Sequence, residues 1–196
     1  MKILTLGTRN PDKLKEIQEI LLRVPVRLRP LPADLPEAPE EEPTLEGNAL
    51  AKARFYAART GTCCLADDTG LEVDALDGAP GVHSARFAGS EASYADNRDK
   101  LLEALAGVPG PRRTARFRTV VVVCTPGGDC LARAEGILEG EVLTAPRGDG
   151  GFGYDPIFRP LEERRSLAEL SAEEKNRLSH RWRALNAIRP QLLGLL

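Results

Sequence analysis

The chain has 196 residues, 27 of them basic and 29 acidic, and a net charge of −2. A chain of this length buries roughly 70% of the surface that it exposes when unfolded, so a single domain over residues 1–196 can build its own core. The nearly balanced charge gives no field that would attract a polyanion, which argues against nucleic acid as a partner. No apolar run approaches the ~20 residues of a membrane span and no signal peptide is evident, so we expect a soluble, cytoplasmic protein without a membrane partner.

The first part of the chain is predicted to alternate between strand and helix. Residues 2–6 form an apolar strand, and the helix that follows is capped by Asn10 and begins at Pro11. A second helix is predicted over residues 44–60, where Gly61 provides the C-terminal stop. It leads directly into another short apolar run.

That apolar run is predicted to be a strand that ends at two adjacent aspartates, Asp67 and Asp68. Carboxylates at a strand end are typical of the sites of α/β enzymes. Successive strand residues point to opposite faces, so the two aspartates should have different roles and only one should face a site. The alternative is an ordinary turn, because Asp, Thr and Gly are common in turns. Residues 71–76 then alternate as a half-buried strand does.

The remaining elements complete a mixed sheet. A third helix is predicted over residues 94–106, and residues 117–124 and 130–138 are predicted to form a β-hairpin. The C-terminal helix opens with Ser171 and Glu174 at the spacing of a capping box. Helices that alternate with strands, plus one long hairpin, indicate an α/β fold with a mixed sheet and flanking helices.

The turn between the first strand and its helix, residues 8–13, has the character of an anion site. Backbone N–H groups, the positive end of the helix dipole and Lys13 all converge there. The spacing is not that of a P-loop, so an ATPase or kinase mechanism is not indicated. A capped helix with a surface lysine is the alternative interpretation.

Two further polar features also have two interpretations. Asn48, Lys52 and Tyr56 recur every four residues and so share one helix face, which is either a functional stripe or a solvated surface. Residues 30–43 are rich in proline and glutamate, and their composition slightly favours a disordered spacer over a loop that carries carboxylates.

Residues 148–153 match the glycine pattern of dinucleotide-binding proteins. Nearby prolines leave no room for the helix that would receive a pyrophosphate, so this function is not indicated. The loop instead offers exposed rings at Phe152 and Tyr154 for stacking on a base, and Asp155 as a carboxylate that would hold it. Later in the chain His180 is either one of several clustered hydrogen-bond donors or a lone surface histidine.

Together these motifs indicate a family more specifically than any of them does alone, because they follow one another in one order along nearly the whole chain. The sequence resembles the inosine triphosphate pyrophosphatase family, the dITP/XTP pyrophosphatases that remove nonstandard purine nucleotides. The motifs that carry the resemblance are Thr8-x-Asn10-x-x-Lys13, the cluster at Glu40, Asn48-Ala49-x-x-Lys52-Ala53, Ala66-Asp67-Asp68-Thr69-Gly70-Leu71, Gly151-Phe152-Gly153-Tyr154-Asp155-Pro156 and Ser179-His180-Arg181.

The resemblance implies a two-lobed fold around a long mixed sheet with a cleft between the lobes, a homodimer, and Mg²⁺-dependent cleavage of a nucleoside triphosphate to monophosphate and pyrophosphate. It implies that Asp68 is the base that activates water and that Glu40 and Asp68 serve the metal. By motif position, the implied substrate-binding residues are Thr8, Arg9, Asn10, Pro11, Asp12, Lys13, Lys52, Thr69, Phe152, Gly153, Tyr154, Asp155, Lys175, His180 and Arg181.

Charge and chemistry are compatible with that assignment. A triphosphate carries close to four negative charges, which a hard cation and two lysines would neutralise. No side chain is a covalent nucleophile with a partnered base, so water is the expected attacker. Two alternatives remain: a nucleotide-binding regulator without turnover, and a related pyrophosphatase that acts on modified pyrimidine nucleotides.

Overall fold

The computed structural model describes residues 2–195. Short 3₁₀ turns join several of its elements. The strands are β1 (Ile3–Leu6), β2 (Arg27–Pro30), β3 (Cys63–Val73), β4 (Pro80–Gly81), β5 (Thr114–Cys124), β6 (Cys130–Val142) and β7 (Phe158–Pro160). The helices are α1 (Pro11–Ile20), α2 (Leu45–Thr60), α3 (Tyr94–Ala104), α4 (Ala172–Leu178) and α5 (His180–Leu195).

The seven strands of the described residues form one sheet in the order β2-β1-β3-β5-β6-β7, and β4 pairs with β3. β1 runs parallel to both β2 and β3, whereas β4 is antiparallel to β3 and β7 is antiparallel to β6. In the register, Leu4 lies opposite Leu28 on one side and Cys63 on the other. The predicted α/β class with a mixed sheet is confirmed.

Local capping explains where α1 begins and where α2 begins and ends. The Asn10 side chain accepts hydrogen bonds from the backbone N–H groups of Asp12 and Lys13 at the start of α1. Thr44 caps α2 in the same way, and Gly61 ends that helix in the left-handed conformation with φ of 64°. These helix boundaries agree with the sequence-based predictions.

The predictions for the end of β3 and for the C-terminal helix were wrong, and the short strands were missed. β3 does not end at Asp67 and Asp68 but continues to Val73, so the two aspartates lie in the middle of a strand and residues 71–76 are not a separate one. The predicted C-terminal helix is two helices, because the backbone at Ser179 is extended. The short strands β2, β4 and β7 were not predicted, since four, two and three residues are too few for a periodic pattern.

The chain divides into two compact units. The first comprises residues 1–68, 119–136 and 181–196, and the second comprises residues 69–118 and 137–180. Each unit has its own buried apolar cluster. In the first, Leu4, Leu6 and Leu65 pack with Ile17 of α1 and Ile188 of α5. In the second, the cluster is formed by residues that include Leu71, Leu101, Phe117, Leu138, Ile157 and Phe158. No helix within residues 2–195 is long and apolar enough to cross a membrane.

Candidate active site

Asp68 is held by two side chains of α2 in the first unit. Its Oδ2 accepts a hydrogen bond from Asn48 Nδ2 at 3.1 Å, and its Oδ1 accepts one from Lys52 Nζ at 3.0 Å. The same Lys52 Nζ donates to Glu40 Oε1 at 2.8 Å. Asn48, Lys52 and Asp68 are all buried, and Glu40 is half-buried. One ammonium therefore joins two carboxylates that lie 28 residues apart in the sequence.

The electrostatics of Lys52 favour its charged form. Burial opposes the charge and would lower its pKa, but the carboxylates of Asp68 and Glu40 outweigh that effect. The pKa of Lys52 consequently lies above its usual value. A cation stabilised in this way is suited to pairing with phosphate oxygens.

Asp67 belongs to a different set of contacts, as strand alternation predicts. Its Oδ2 lies 3.3 Å from Lys13 Nζ and 3.2 Å from an Nη atom of Arg181, whose guanidinium also donates to Glu16. Burial works against the Asp67 charge, but Lys13, Arg181 and Lys52 outweigh it and hold the pKa of this carboxyl far below its usual range. For Lys13 the balance is reversed, because burial is the dominant influence and lowers its pKa despite the attraction of Asp67.

The turn before α1 differs in detail from the expected anion site. Two of the N–H groups that we expected to face an anion, those of Asp12 and Lys13, donate instead to Asn10 Oδ1 at 2.9 and 3.1 Å. Arg9 donates to the carbonyl oxygens of Pro32 and Leu35 and so holds the loop that follows β2. Thr8 Oγ1 accepts from Asn10 N at 3.2 Å, and Pro11 has no N–H to offer. The helix dipole and the Lys13 ammonium remain as attractions for an anion.

The donor set around Lys52 fits a hard divalent cation. Glu40 and Asp68 provide carboxylate oxygens, and Mg²⁺ in nucleotide enzymes takes one or two carboxylates together with phosphate oxygens and water. Both carboxylates already converge on one cation, the Lys52 ammonium. Within residues 2–195 no group of three or more His, Cys, Asp or Glu side chains is arranged to hold a metal. A metal here would therefore complete its coordination with substrate and water.

Asp155 and Lys175 organise the glycine-rich loop in the second unit. Asp155 Oδ2 accepts from Lys175 Nζ at 2.6 Å and from the backbone N–H of Phe152 at 2.8 Å. The Lys175 ammonium also lies 4.5 Å from the centre of the Phe152 ring. Gly151 has φ of 67°, and a Cβ atom there would lie 2.2 Å from an Asp155 carboxylate oxygen, so only glycine fits.

The other rings of this unit have distinct environments. Tyr154 was expected to be exposed but is 5% exposed, and its hydroxyl donates to the Ser84 carbonyl at 2.9 Å. Burial raises the pKa of this phenol. The His180 ring is buried and stacks on Phe117 with ring centres 4.6 Å apart. Phe152 is half-buried, so it is the ring of the loop that can offer a face to a ligand.

A cavity of about 400 Å³ lies beside Phe152 in the second unit. The side chains of Tyr94, Arg98 and Asp149 contribute to its lining along with the glycines of the loop. Arg98 donates to the Gly153 carbonyl at 2.8 Å, and the Tyr94 ring lies 5.9 Å from the Phe152 ring. Tyr94 and Arg98, four residues apart on α3, thus both contact the glycine-rich loop.

Sequence reasoning missed several residues of these contacts. Asn48 was recognised as part of a polar stripe and of a family motif but was given no role, although it bonds directly to Asp68. Glu16, Tyr94 and Arg98 were not singled out, because an acidic, aromatic or basic side chain on a helix is usually a surface residue. A glutamate next to Ile17 on the apolar face of α1 was the available signal for Glu16, which is 8% exposed.

Comparison with known proteins agrees with the motifs. The model of the Ham1 family matches residues 4–191. A dITP/XTP pyrophosphatase of Geobacter sulfurreducens is 48% identical over 194 residues, which cover 98% of this chain and 97% of that protein. A HAM1 protein from Coxiella burnetii has a solved structure with a TM-score of 0.90 and 39% identity, covering 99% of this chain and all of the other. A nucleoside-triphosphatase, also described as a dITP/XTP pyrophosphatase, from Mycobacterium abscessus has a TM-score of 0.77 and 44% identity over 97% of this chain and all of its own. The resemblance inferred from the motifs is confirmed, and the chain belongs to the Ham1 family.

Proposed function

We propose that the protein is a nucleoside triphosphate pyrophosphohydrolase that converts dITP, ITP and XTP to the monophosphate and pyrophosphate. Relatives that are 46 to 48% identical over nearly the whole chain are dITP/XTP pyrophosphatases. The observation that carries the proposal is the buried Lys52 ammonium that joins the carboxylates of Glu40 and Asp68. A site with two carboxylates and a cation suits hydrolysis of a highly charged phosphate anhydride.

Each polar group of the first unit has a role in this proposal. Asp68, oriented by Asn48 and Lys52, accepts the proton of the attacking water. Lys13 and Lys52 pair with phosphate oxygens and offset the negative charge that grows on the leaving pyrophosphate. Bound Mg²⁺, held by Glu40 and Asp68, would supply further charge neutralisation on the triphosphate. The turn residues Thr8, Arg9, Asn10, Pro11 and Asp12 shape the phosphate-binding end, and Thr69 follows Asp68 directly in the chain.

Base recognition is assigned to the second unit. Hypoxanthine and xanthine carry a carbonyl oxygen at the 6-position, where adenine carries an amino group. Lys175 and His180 are buried donors suited to that carbonyl, and Phe152 offers a ring for stacking. Gly153, Tyr154 and Asp155 hold this loop in place. Arg181, which the resemblance assigns to the base as well, is engaged with Asp67 and Glu16 in the structure. These contacts support a role for Arg181 in the fold of the first unit.

The same proposal includes a homodimer that works in the cytoplasm on free nucleotides, without nucleic acid or membrane as a partner. The net charge of −2 supports the absence of a nucleic-acid partner, because binding to phosphate backbones depends on a basic surface.

A substrate panel tests the function and its selectivity. We expect kcat/KM for dITP and XTP to exceed that for dATP by at least roughly 10²-fold, because an amino group at the 6-position would leave buried donors unpaired. Pyrophosphate and the monophosphate should appear in equal amounts from the start of the reaction. The measurement is steady-state kinetics in Mg²⁺ with pyrophosphate detected by a coupled assay, with and without an added inorganic pyrophosphatase.

The panel also includes a modified pyrimidine triphosphate. Preference for that substrate would identify a pyrimidine-directed pyrophosphatase, and binding of dITP without turnover would identify a regulator. Comparable kcat/KM values for dATP and dITP would contradict the proposed pocket. A Phe152→Ala variant serves as the matched control for selectivity, because loss of stacking should weaken all bases alike.

A further inference from the structure

The polar stripe of α2 is buried and holds the acidic strap, which we define as residues 38–42. Tyr56 and Asn48 are 3% and 1% exposed, so the stripe is not a solvated face. The backbone N–H of Ala38 donates to Tyr56 Oη at 3.0 Å, and the backbone N–H of Glu42 donates to Asn48 Oδ1 at 3.0 Å. Between these two anchors, Glu40 bonds to Lys52 at 2.8 Å.

The spacing of the stripe matches the spacing of the acidic strap. Four residues of an α-helix advance about 6 Å along its axis. Two residues of extended chain advance about 6.6 Å. The contacts agree with these lengths, because Tyr56, Lys52 and Asn48 bond to every second residue of the strap. The strap runs antiparallel to the helix. The four-residue repeat of polar side chains in the sequence therefore corresponds to three contacts between α2 and the acidic strap.

This geometry selects Glu40 among three consecutive glutamates. Glu40 is half-buried, whereas Glu41 and Glu42 are exposed. Gly47 of α2 allows close approach, because a Cβ atom at that position would lie 2.7 Å from Glu42 Cβ. The strap thus lies directly on α2, and Glu40 is the glutamate that bonds to Lys52.

We propose that the Tyr56 hydroxyl is a positioning residue for the proposed reaction, acting through the acidic strap to hold the Glu40 carboxylate beside Lys52 and Asp68. Asn48 is the opposite anchor, and its amide also donates to Asp68 Oδ2, so it joins the strap to the catalytic carboxylate. The Tyr56 hydroxyl bonds to the strap at the Ala38 backbone, so it acts on Glu40 through the chain between them. The inference rests on the proposed function for its consequence in catalysis, but the positioning itself is testable without turnover.

The test is Tyr56→Phe, which removes one hydroxyl and keeps the buried ring. We expect amide hydrogen exchange at Ala38 to accelerate about fivefold or more, as loss of one hydrogen bond predicts. Calorimetric titration with Mg²⁺ alone and the Mg²⁺ concentration for half-maximal dITP turnover should both show affinity about fivefold weaker, with kcat at saturating Mg²⁺ changed less than about twofold. In a Glu40→Gln background the same substitution should have no further effect on Mg²⁺ affinity, because Tyr56 acts through Glu40.

The matched control is Thr60→Val, which removes a hydroxyl that donates to the Tyr56 carbonyl at 2.7 Å on the same helix without contacting the strap. It should leave Ala38 exchange and Mg²⁺ affinity unchanged. The proposal is overturned if Ala38 exchange in Tyr56→Phe equals that of wild type, or if the loss of Mg²⁺ affinity persists in the Glu40→Gln background. Exchange and calorimetry need no turnover, so a wild-type protein that does not hydrolyse dITP would refute the proposed function and leave the positioning role to be decided by these two readouts.

Discussion

Replacing Asp68 with asparagine is expected to lower turnover on the order of 10²-fold or more while leaving the fold intact. The new amide would be neutral and could not take a proton from water. It would also present an N–H group instead of an oxygen to one of its two donors, Lys52 or Asn48. Turnover of dITP at saturating Mg²⁺ and thermal unfolding of the variant measure the two effects separately.

Asp67→Asn is the matched comparison, since it makes the same chemical change one residue earlier in β3. Asp67 pairs with Lys13 and Arg181, so this variant should have a lower melting temperature than Asp68→Asn while losing less turnover. Near wild-type turnover in Asp68→Asn would remove Asp68 from the catalytic role.

A second large effect is expected from Arg181→Ala, this time on stability. The side chain is 1% exposed and its guanidinium bonds to both Asp67 and Glu16. Removing it leaves two buried carboxylates with fewer counter-charges, and breaking a buried pair from one side costs about 3–5 kcal/mol. Urea unfolding followed by circular dichroism measures the free energy of unfolding.

Arg177→Ala provides the control for this change. Arg177 is also paired with a glutamate, Glu173, but its side chain is 74% exposed, so we expect a change within about 0.5 kcal/mol. If Arg181→Ala were as mild as the control, the buried contacts of Arg181 would not contribute to folding as described.

A soluble Arg181→Lys variant then separates base selectivity from stability, because it keeps a cation near Asp67.

Much of the fold followed from the sequence where caps and periodicity are strong. Asn10, Thr44 and Gly61 mark helix ends whose chemistry depends only on neighbouring residues, and the structure agrees with each of them. The end of β3 was wrongly predicted because Asp, Thr and Gly favour turns when they are exposed. In the structure Asp67 and Asp68 are buried and paired with cations, so tertiary contacts outweigh their local preference.

For the site too, residue types and spacings could be predicted from the sequence, but contacts between residues far apart in the chain could not. The carboxylate pair and Lys52 were visible as types and spacings, but composition favoured a spacer for the segment that contains Glu40. Its order comes from contacts with Tyr56, Lys52 and Asn48, which lie 18, 12 and 6 residues further along the chain than their partners in the strap. Tyr154 was misplaced for the same reason, because a tyrosine in a glycine-rich loop gives no sign of the distant carbonyl at Ser84 that it binds.

We propose that water, activated beside Asp68, attacks the α-phosphorus of dITP and releases dIMP and pyrophosphate. Hydrolysis in water enriched in oxygen-18 tests it directly, with mass spectrometry of both products. Attack at the α-phosphorus predicts that the label enters dIMP and that the released pyrophosphate carries none. Label in the pyrophosphate, or early release of orthophosphate and dIDP, would contradict the account.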